Sequence, residues 1–337
     1  MDVDAESPGW SAIEKAFTAI YGTQEPTHWA SAGDWRFGGE IALRGISAYR
    51  QEGGARPHWH FVTFGLSELF DKVSEDADRS GYGFELTLRV ASDDAEHPPV
   101  WPVGLLQSLA GYVLQTGHPF SAGHTFNLQG PITDVAPTGL TGLVFTPDRS
   151  VKATSSRNGR VAFLQLVGLT EDERAAAKAW STDGLLGLLG ERDPLLVTDL
   201  DRESLLTDPQ MAQRIEAGAA AQGSTMAALL VPGLRWEGML GAAFTLDLPS
   251  AIIEDFKRLI AGRLLHGRPL SLAAPDQDAD EQVRFVTAAT PGVEDTGGLL
   301  EIRLTPPLVE TLRQALQPKA GVHRLQGLGA LTLRVSD

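Results

Sequence analysis

The side chains with the clearest capacity for chemistry are two histidines, His58 and His60, separated by a single residue. Alternate residues of a β-strand point to the same face of a sheet, so two imidazoles at this spacing could share a metal ion. A metal site needs further ligands, and the candidates are His118, His124, His266, Asp199 and Asp201. The pair therefore allows a His-dependent metal enzyme, such as a hydrolase. The alternative is that both imidazoles form hydrogen bonds with backbone or carboxylate groups, as partly buried polar groups normally do.

A second candidate is the acidic stretch at residues 198–203, in which Asp199 and Asp201 are followed by Arg202. A carboxylate here could act as a general base, but a solvated loop with a local Asp–Arg pair explains the same residues. The motifs of common enzymes are absent from the sequence: it has no phosphate-binding loop, dinucleotide fingerprint, nucleophile elbow or HExxH motif, and it has no cysteine. The enzyme classes that depend on these motifs are therefore excluded, and we expect no cofactor.

The charge balance bears on the kind of partner. The chain of 337 residues has a formal net charge of -15 at pH 7, and no segment concentrates lysine and arginine. Such a charge repels a phosphate backbone, so we expect no binding to nucleic acid, and it attracts a basic protein. No apolar run approaches the ~20 residues of a membrane-spanning helix, and the first residues do not form a secretory signal. We expect a soluble, cytoplasmic protein with no membrane partner.

The elements that must position these side chains are helices and strands in irregular alternation. Residues 7–21 place Ile13 and Phe17 at helical spacing behind Pro8, and residues 84–90 alternate apolar and polar side chains as a strand does. Further helices are expected after Pro102, Thr170, residue 208, Ser250 and Thr305. Further strands are expected at 143–146, 161–167, 195–198, 236–246, 283–289, 299–304 and 330–335.

These elements predict two domains, because the length exceeds the roughly 250–300 residues at which one hydrophobic core stops growing. Small residues dominate around 217–226 and the periodicity weakens there, so we place the boundary between a first domain at 1–220 and a second at 221–337. The fold class is mixed α/β (α+β), with each domain a mixed, mostly antiparallel sheet packed with helices.

Several segments, taken in order, resemble the Suppressor of fused family. The matching stretches are HWHFVTFGLSEL at 58–69, GYGFELTLR at 81–89, LAGYVLQ at 109–115, FLQLVG at 163–168 and GRLLHGR at 262–268. The last of these is similar to the C-terminal domain of the family, so the resemblance extends over nearly the whole chain.

The resemblance implies a non-enzymatic clamp of two domains, in which an extended peptide of the partner lies between the domains and pairs with strands from each. Strand addition of this kind gains affinity from main-chain hydrogen bonds and specificity from side-chain pockets. The positions that match the partner-binding segments of the family are Tyr112, Gly123, His124, Phe126, Leu128, His266, Arg268, Leu270 and Leu272. Animal members place a partner-contacting Asp directly after this glycine, where this chain has His124.

Bacterial members of the family resemble immunity proteins that neutralise toxins. The resemblance and the acidic charge together predict a module that captures and masks a partner polypeptide, such as a basic toxin domain, as an immunity or regulatory protein in a bacterium.

Overall fold

The computed structural model describes residues 7–30, 43–238, 243–274 and 282–337. Within these ranges the chain forms seventeen strands and seven α-helices. They belong to two units, the first comprising Met1–Arg174 with Leu186–Leu205 and the second comprising Ala175–Leu185 with Leu206–Asp337.

The first unit is built on one eight-stranded sheet with the strand order β1-β2-β3-β4-β8-β6-β5, to which β7 adds by pairing with β8. Its strands are β1 (Thr27–Ala30), β2 (Gly45–Gln51), β3 (His58–Phe64), β4 (Arg79–Ala91), β5 (Thr125–Asn127), β6 (Leu140–Pro147), β7 (Thr154–Ser156) and β8 (Gly159–Thr170). The pairing of β4 with β8 is parallel, and the other pairings are antiparallel.

Two helices pack with this sheet, α1 (Pro8–Tyr21) and α2 (Trp101–Thr116). Each carries a proline at the start, where the fixed φ of proline favours helix and its missing N–H is not needed. Phe61 of β3 belongs to the buried cluster that contains the inward face of α2, whereas its neighbour Val62 belongs to the cluster that contains α1. Because successive strand residues face opposite sides, the helices cover opposite faces and β3 is buried along its whole length.

Two further helices, α3 (Glu171–Ala179) and α4 (Thr182–Arg192), contribute residues to both units. The Glu173 carboxylate accepts a hydrogen bond from the Thr170 amide at 3.0 Å, which is one half of the capping box expected from the sequence. The strand expected at 195–198 is wrong in extent, since the segment forms only an isolated bridge between Val90 and Thr198. Here Asp193 accepts from the amides of Leu195 and Val197, so a local turn replaces most of a ladder.

The second unit contains two sheets, with the strand orders β10-β11-β17-β16 and β14-β15-β13-β12-β9. Its strands are β9 (Ala228–Leu230), β10 (Arg235–Glu237), β11 (Phe244–Pro249), β12 (Leu270–Ala273), β13 (Val283–Thr287), β14 (Gly292–Asp295), β15 (Leu300–Leu304), β16 (Gly321–Arg324) and β17 (Leu331–Ser336). Its helices are α5 (Pro209–Gln222), α6 (Ile253–Leu264) and α7 (Pro306–Ala315), and single 3₁₀ turns occupy Ser250–Ile252 and, at the junction of the two units, Leu205–Thr207.

One buried cluster joins both sheets of the second unit to α6 and α7. At its centre Phe256 of α6 packs against Phe285 of β13, with ring centroids 5.2 Å apart. The alternating burial of β11, β15 and β17 shows that only one face of each of these strands enters this core. The mixed α/β class expected from the sequence is confirmed.

Helix α5 (Pro209–Gln222) belongs to the second unit. The boundary between independent domains at 220–221 stays a prediction. Among the residues described, none of the helices is both long and apolar enough to cross a lipid bilayer.

Candidate protein-binding site

Strand β5 lies at one end of the large sheet among the strands described, with β6 as its neighbour on one side. The chain reaches it through a turn at Gly123, whose φ of 89° suits a residue without a Cβ. The His124 carbonyl accepts from the Phe145 amide at 3.0 Å, and the Leu128 amide donates to the Thr141 carbonyl at 3.1 Å.

These two hydrogen bonds determine which main-chain groups of β5 face outward. Residues of an antiparallel strand alternate between hydrogen bonding to one neighbour and to the opposite side. Since the main chains of His124 and Leu128 bond to β6, that of Phe126 does too, and the N–H and C=O groups of Thr125 and Asn127 point to the outer edge. The outer edge of β5 can therefore receive another strand.

An aromatic surface formed by Tyr112, Phe120 and Phe126 adjoins this edge. The ring centroids of Tyr112 and Phe120 are 5.6 Å apart in a stacked arrangement, and that of Tyr112 is 6.2 Å from that of Phe126. Phe120 also stacks on Phe145 of the core at 4.2 Å. Tyr112 remains 40% exposed, so the surface is anchored in the core and open to solvent on one side. Two of the residues expected from the sequence, Tyr112 and Phe126, thus lie together, and Phe120 joins them.

His124 closes the turn that precedes β5. Its amide donates to the Ser121 carbonyl at 3.1 Å, and its Nδ1 atom lies 3.3 Å from the Ser121 amide, which donates to it. An imidazole nitrogen that accepts a hydrogen bond carries no proton. Partial burial lowers the pKa of His124 from its ordinary value, which also favours the neutral ring.

The residues expected in the second unit lie at the end of α6 and along β12. His266 and Arg268 follow the helix in a turn at Gly267, with φ of 68°. Leu270 and Leu272 are fully buried, and β12 is paired with β13 on one side and with β9 on the other. These two leucines therefore contribute to the core, and the strand that lies outermost on this side is β9.

Strand β9 presents the second edge of interest. It pairs with β12 in parallel register, and the Val231 amide donates to the Ala273 carbonyl at 2.9 Å. Alternation along the strand then directs the main-chain groups of Ala228 and Leu230 outward. Leu230 is 58% exposed. Periodicity in the sequence predicted neither β9 nor β5, because strands of three residues are too short to show a periodic pattern. The resemblance to the family pointed to the segment around Phe126, but nothing pointed to β9.

His58 and His60 lie within the first unit. Nδ1 of His58 donates to the Arg56 carbonyl at 3.0 Å, so this nitrogen carries the proton. His60 is fully buried: its Nε2 lies 3.0 Å from the Asp148 carboxylate and its Nδ1 lies 2.8 Å from the Tyr21 hydroxyl. The hydrogen-bonding alternative expected for both residues is thus what the structure shows, with one backbone and one carboxylate partner.

Asp148 is the centre of a buried polar network. Both of its oxygens pair with the Arg89 guanidinium, at 3.0 and 2.9 Å, and Thr87 donates a further hydrogen bond at 2.7 Å. Burial would raise the pKa of Asp148, but His60 and Arg89 outweigh it and hold that pKa well below its ordinary range. Burial, followed by the charge of Arg89, lowers the pKa of His60 to about 4, so the imidazole is neutral and donates from Nε2.

No observation supports the metal-enzyme alternative. In the described part of the chain, no group of three or more His, Asp and Glu side chains is arranged to hold a metal ion. In the acidic stretch, Asp199 pairs with Arg56 and Arg202 pairs with the buried Glu173. The pairs thus differ from the local Asp–Arg pair expected there, because each partner comes from a distant segment and that of Arg202 is a glutamate.

The fold and the site define a mixed α/β protein with open strand edges. A family model described as Suppressor of fused protein matches residues 39–203. The Suppressor of fused homologues of Homo sapiens and Mus musculus are each 33% identical over 205 residues, which cover 56% of this chain and 42% of theirs. The matched part thus spans less than half the length of these curated relatives. The resemblance found in the sequence is thus confirmed, and the family model places it at residues 39–203.

Solved structures extend the similarity in fold. The crystal structure of Drosophila Suppressor of Fused superimposes with a TM-score of 0.77 at 20% identity and covers 98% of this chain and 97% of that one. A chain from the Sufu-Fu complex superimposes with a TM-score of 0.57 at 28% identity, over 62% of this chain and 98% of that chain. The first comparison shows that both units follow the Suppressor of fused fold.

Proposed function

We propose that this protein binds an extended segment of a partner polypeptide by β-strand addition at the outer edge of β5. The observation that carries the proposal is the outward-facing main chain of Thr125 and Asn127 beside the aromatic surface of Tyr112, Phe120 and Phe126. A related chain has been crystallised in a complex of Sufu with Fu, which supports a protein as the kind of partner.

The two parts of this edge supply different components of binding. Main-chain hydrogen bonds to Thr125 and Asn127 depend on the conformation of the partner and not on its sequence, so they give affinity. The exposed side of Tyr112 offers an aromatic contact for a partner side chain, which gives specificity. His124 lies in the turn directly before Thr125, where its imidazole can contact a side chain of the partner.

The second unit adds an edge of the same kind at β9, with Leu230 exposed beside it. In our proposal this edge holds a further part of the partner, near His266 and Arg268. That one segment engages both domains stays a prediction from the resemblance to the family.

The finer part of the proposal concerns what capture achieves. We infer that the bound segment is masked from other interactions, without catalysis and without a cofactor, as expected of an immunity or regulatory protein in a bacterium. The net charge of -15 supports a partner of opposite charge, because electrostatic attraction over the whole surface accelerates encounter. A basic toxin domain is one partner with this property.

The experiment compares two substitutions of the same outward residue, Thr125→Pro and Thr125→Val. Proline removes the N–H that a partner strand needs and leaves the hydrogen bonds from β5 to β6 in place, whereas valine keeps the N–H and the strand preference. Each variant of the full chain serves as bait in its native lysate, and captured proteins are identified by mass spectrometry and then bound as purified components.

We expect the original chain and Thr125→Val to bind the same polypeptide, and Thr125→Pro to lose it while its circular dichroism spectrum is unchanged. Equal binding by the proline variant would refute strand addition at β5. Loss of binding in both variants would show that the hydroxyl of Thr125, and not the main chain, makes the contact.

A further inference from the structure

Two arginines of the second unit converge just beyond α6. The helix ends at Leu264, and the amides of Gly267 and Arg268 then donate to the carbonyls of Leu264 and Arg263, at 3.0 and 2.9 Å. This turn, with Gly267 in the left-handed region, brings the chain back along the last turn of the helix. Arg268 is thereby placed beside Arg263.

The guanidinium groups of both residues bind the same main-chain oxygen. Nη1 of Arg263 donates to the Ser224 carbonyl at 3.1 Å, and Nη1 of Arg268 donates to it at 3.0 Å. Nε of Arg263 donates to the Pro269 carbonyl at 2.9 Å. These acceptors are neutral, and among the residues described no carboxylate forms an ion pair with either arginine.

Within the described part of the unit, no carboxylate balances these two positive charges. Arg263 is only 7% exposed, and a buried charge without a counter-charge loses favourable hydration. The carbonyl end of a helix offsets only about half an elementary charge, whereas the pair carries two. Burial, followed by the charge of Arg268, lowers the pKa of Arg263, which is the effect expected where like charges meet without an anion.

The pair still has hydrogen-bond donors to offer. An arginine has five N–H groups, and the contacts above use two nitrogens of Arg263 and one of Arg268. In the described chain, some polar side-chain atoms are fully enclosed and have no hydrogen-bond partner. None of the remaining guanidinium nitrogens of Arg263 and Arg268 is such an atom, so these nitrogens reach solvent. A planar fork of this kind matches the two oxygens of a carboxylate.

The location of the pair relates it to the outer edge of β9. Strands β9 and β12 run parallel, with Ala228 opposite Ser271. Pro269 precedes Ser271 by two residues, so its carbonyl lies about 7 Å before the level of Ala228, given the rise of about 3.3 Å per residue. Arg263 donates to this carbonyl, and both arginines donate to the Ser224 carbonyl. The pair therefore lies at the end of the sheet where β9 begins.

We propose that Arg263 and Arg268 form a binding site for a carboxylate, supplied by an aspartate or glutamate side chain of the partner segment that adds to β9. The site deepens the proposed function and rests on it for the identity of the ligand. It is compatible with a basic partner, because net charge acts over the whole surface before contact, whereas this pair selects one residue after contact. The partner is thus basic overall and carries an acidic anchor.

The test uses small probes and no partner. Arginine side-chain N–H signals of the ¹⁵N-labelled full chain are followed by NMR during titration with acetyl-aspartate N-methylamide, which has a side-chain carboxylate only. The comparison probes are the neutral acetyl-asparagine N-methylamide, acetyl-alanine with its α-carboxylate, and inorganic phosphate. Each titration is repeated with Arg268→Gln and with Arg258→Gln, a control on α6 whose arginine already pairs with Asp255.

We expect a saturable shift of the Arg263 and Arg268 signals with the aspartate probe and none with the asparagine probe. Binding of the aspartate probe should be at least about tenfold weaker in Arg268→Gln, as expected for the loss of one charge-assisted hydrogen bond. Arg258→Gln should bind as the original chain does. The proposal is overturned if the aspartate and asparagine probes behave alike, or if Arg268→Gln binds unchanged. Stronger binding of acetyl-alanine or phosphate would overturn the side-chain assignment.

The comparison of the aspartate and asparagine probes on the original chain tests carboxylate binding even if Arg268→Gln folds poorly. Because no partner is present, a negative result here leaves strand addition at β5 untouched. In the same way, normal partner binding by Thr125→Pro would refute strand addition at β5 without contradicting the carboxylate site.

Discussion

Two buried arginines, one in each unit, differ in the groups that surround their positive charge. Arg89 in the first unit is 1% exposed and pairs with both oxygens of Asp148. Arg263 in the second unit is 7% exposed, and among the described residues it donates hydrogen bonds to carbonyl oxygens and lies beside another arginine. The Arg89 charge is balanced by a carboxylate of the protein itself, so it needs no counter-charge from a ligand. A sheltered cation without a counter-charge is suited to bind an anion.

The largest effect expected from this comparison is that of Asp148→Asn. The substitution leaves the Arg89 charge buried without its partner, so we expect a loss of about 3–5 kcal/mol in the free energy of unfolding. Urea denaturation of the full chain, followed by tryptophan fluorescence, measures it. Asp247→Asn is the matched control, because its partner Arg334 is 48% exposed and such pairs contribute about 0–1 kcal/mol. Equal losses in both variants would contradict the distinction between the two kinds of pair.

The second effect is a loss of stability in mild acid. The pKa of His60 is lowered to about 4 in the folded protein and is about 6.5 when unfolded, so only the unfolded chain takes up this proton in the intervening range. The stabilisation is complete above pH ~6.5, is lost as pH falls towards about 4, and amounts to roughly 3 kcal/mol. Burial lowers the pKa of His58 as well, and this acts in the same direction.

Urea denaturation at a series of pH values checks this prediction, with His60→Gln as the comparison. The glutamine variant lacks the titrating ring, so its stability should fall less steeply between pH ~6.5 and ~4. An unchanged pH dependence in that variant would show that other groups govern acid unfolding.

A smaller effect is expected from Arg263→Met. Arg268 still donates to the Ser224 carbonyl, so the substitution leaves mainly the Pro269 carbonyl without a donor and relieves the repulsion between two cations. We expect a loss of about 1 kcal/mol, the net value of one hydrogen bond, in the same denaturation assay. A loss as large as that of Asp148→Asn would mean that Arg263 serves the fold as Arg89 does.

A similarly small effect on stability is expected from Tyr112→Ala, because the ring is 40% exposed and its stacking contributes about 0.5–1.5 kcal/mol. Its effect on binding should be much greater, with loss of the polypeptide that the original chain captures. Val322→Ala, an exposed apolar residue of β16, is the control and should keep normal binding. Retention of the partner by Tyr112→Ala would remove the aromatic surface from the proposed site.

Much of the local structure could be predicted from patterns within single segments of the sequence. Proline at the first turn and apolar residues at helical spacing predicted α1 and α2, and alternation predicted β4, since these signals arise within one segment. The motif at residues 58–69 and its neighbours also predicted the family. The segment at 195–198 was misjudged because Asp193, a side chain outside it, satisfies two of its amides.

The open strand edges and the charge pairs could not be predicted in this way. Strand β12 is apolar but does not lie at the edge of its sheet, because β9 pairs with it there. Strand β9 has only three residues and therefore no periodic pattern. Asp148 reaches Arg89 from 59 positions away in the chain, while Arg263 finds no such carboxylate among the described residues. Strand neighbours and ion pairs are contacts between distant segments, so the pattern within a segment cannot fix them.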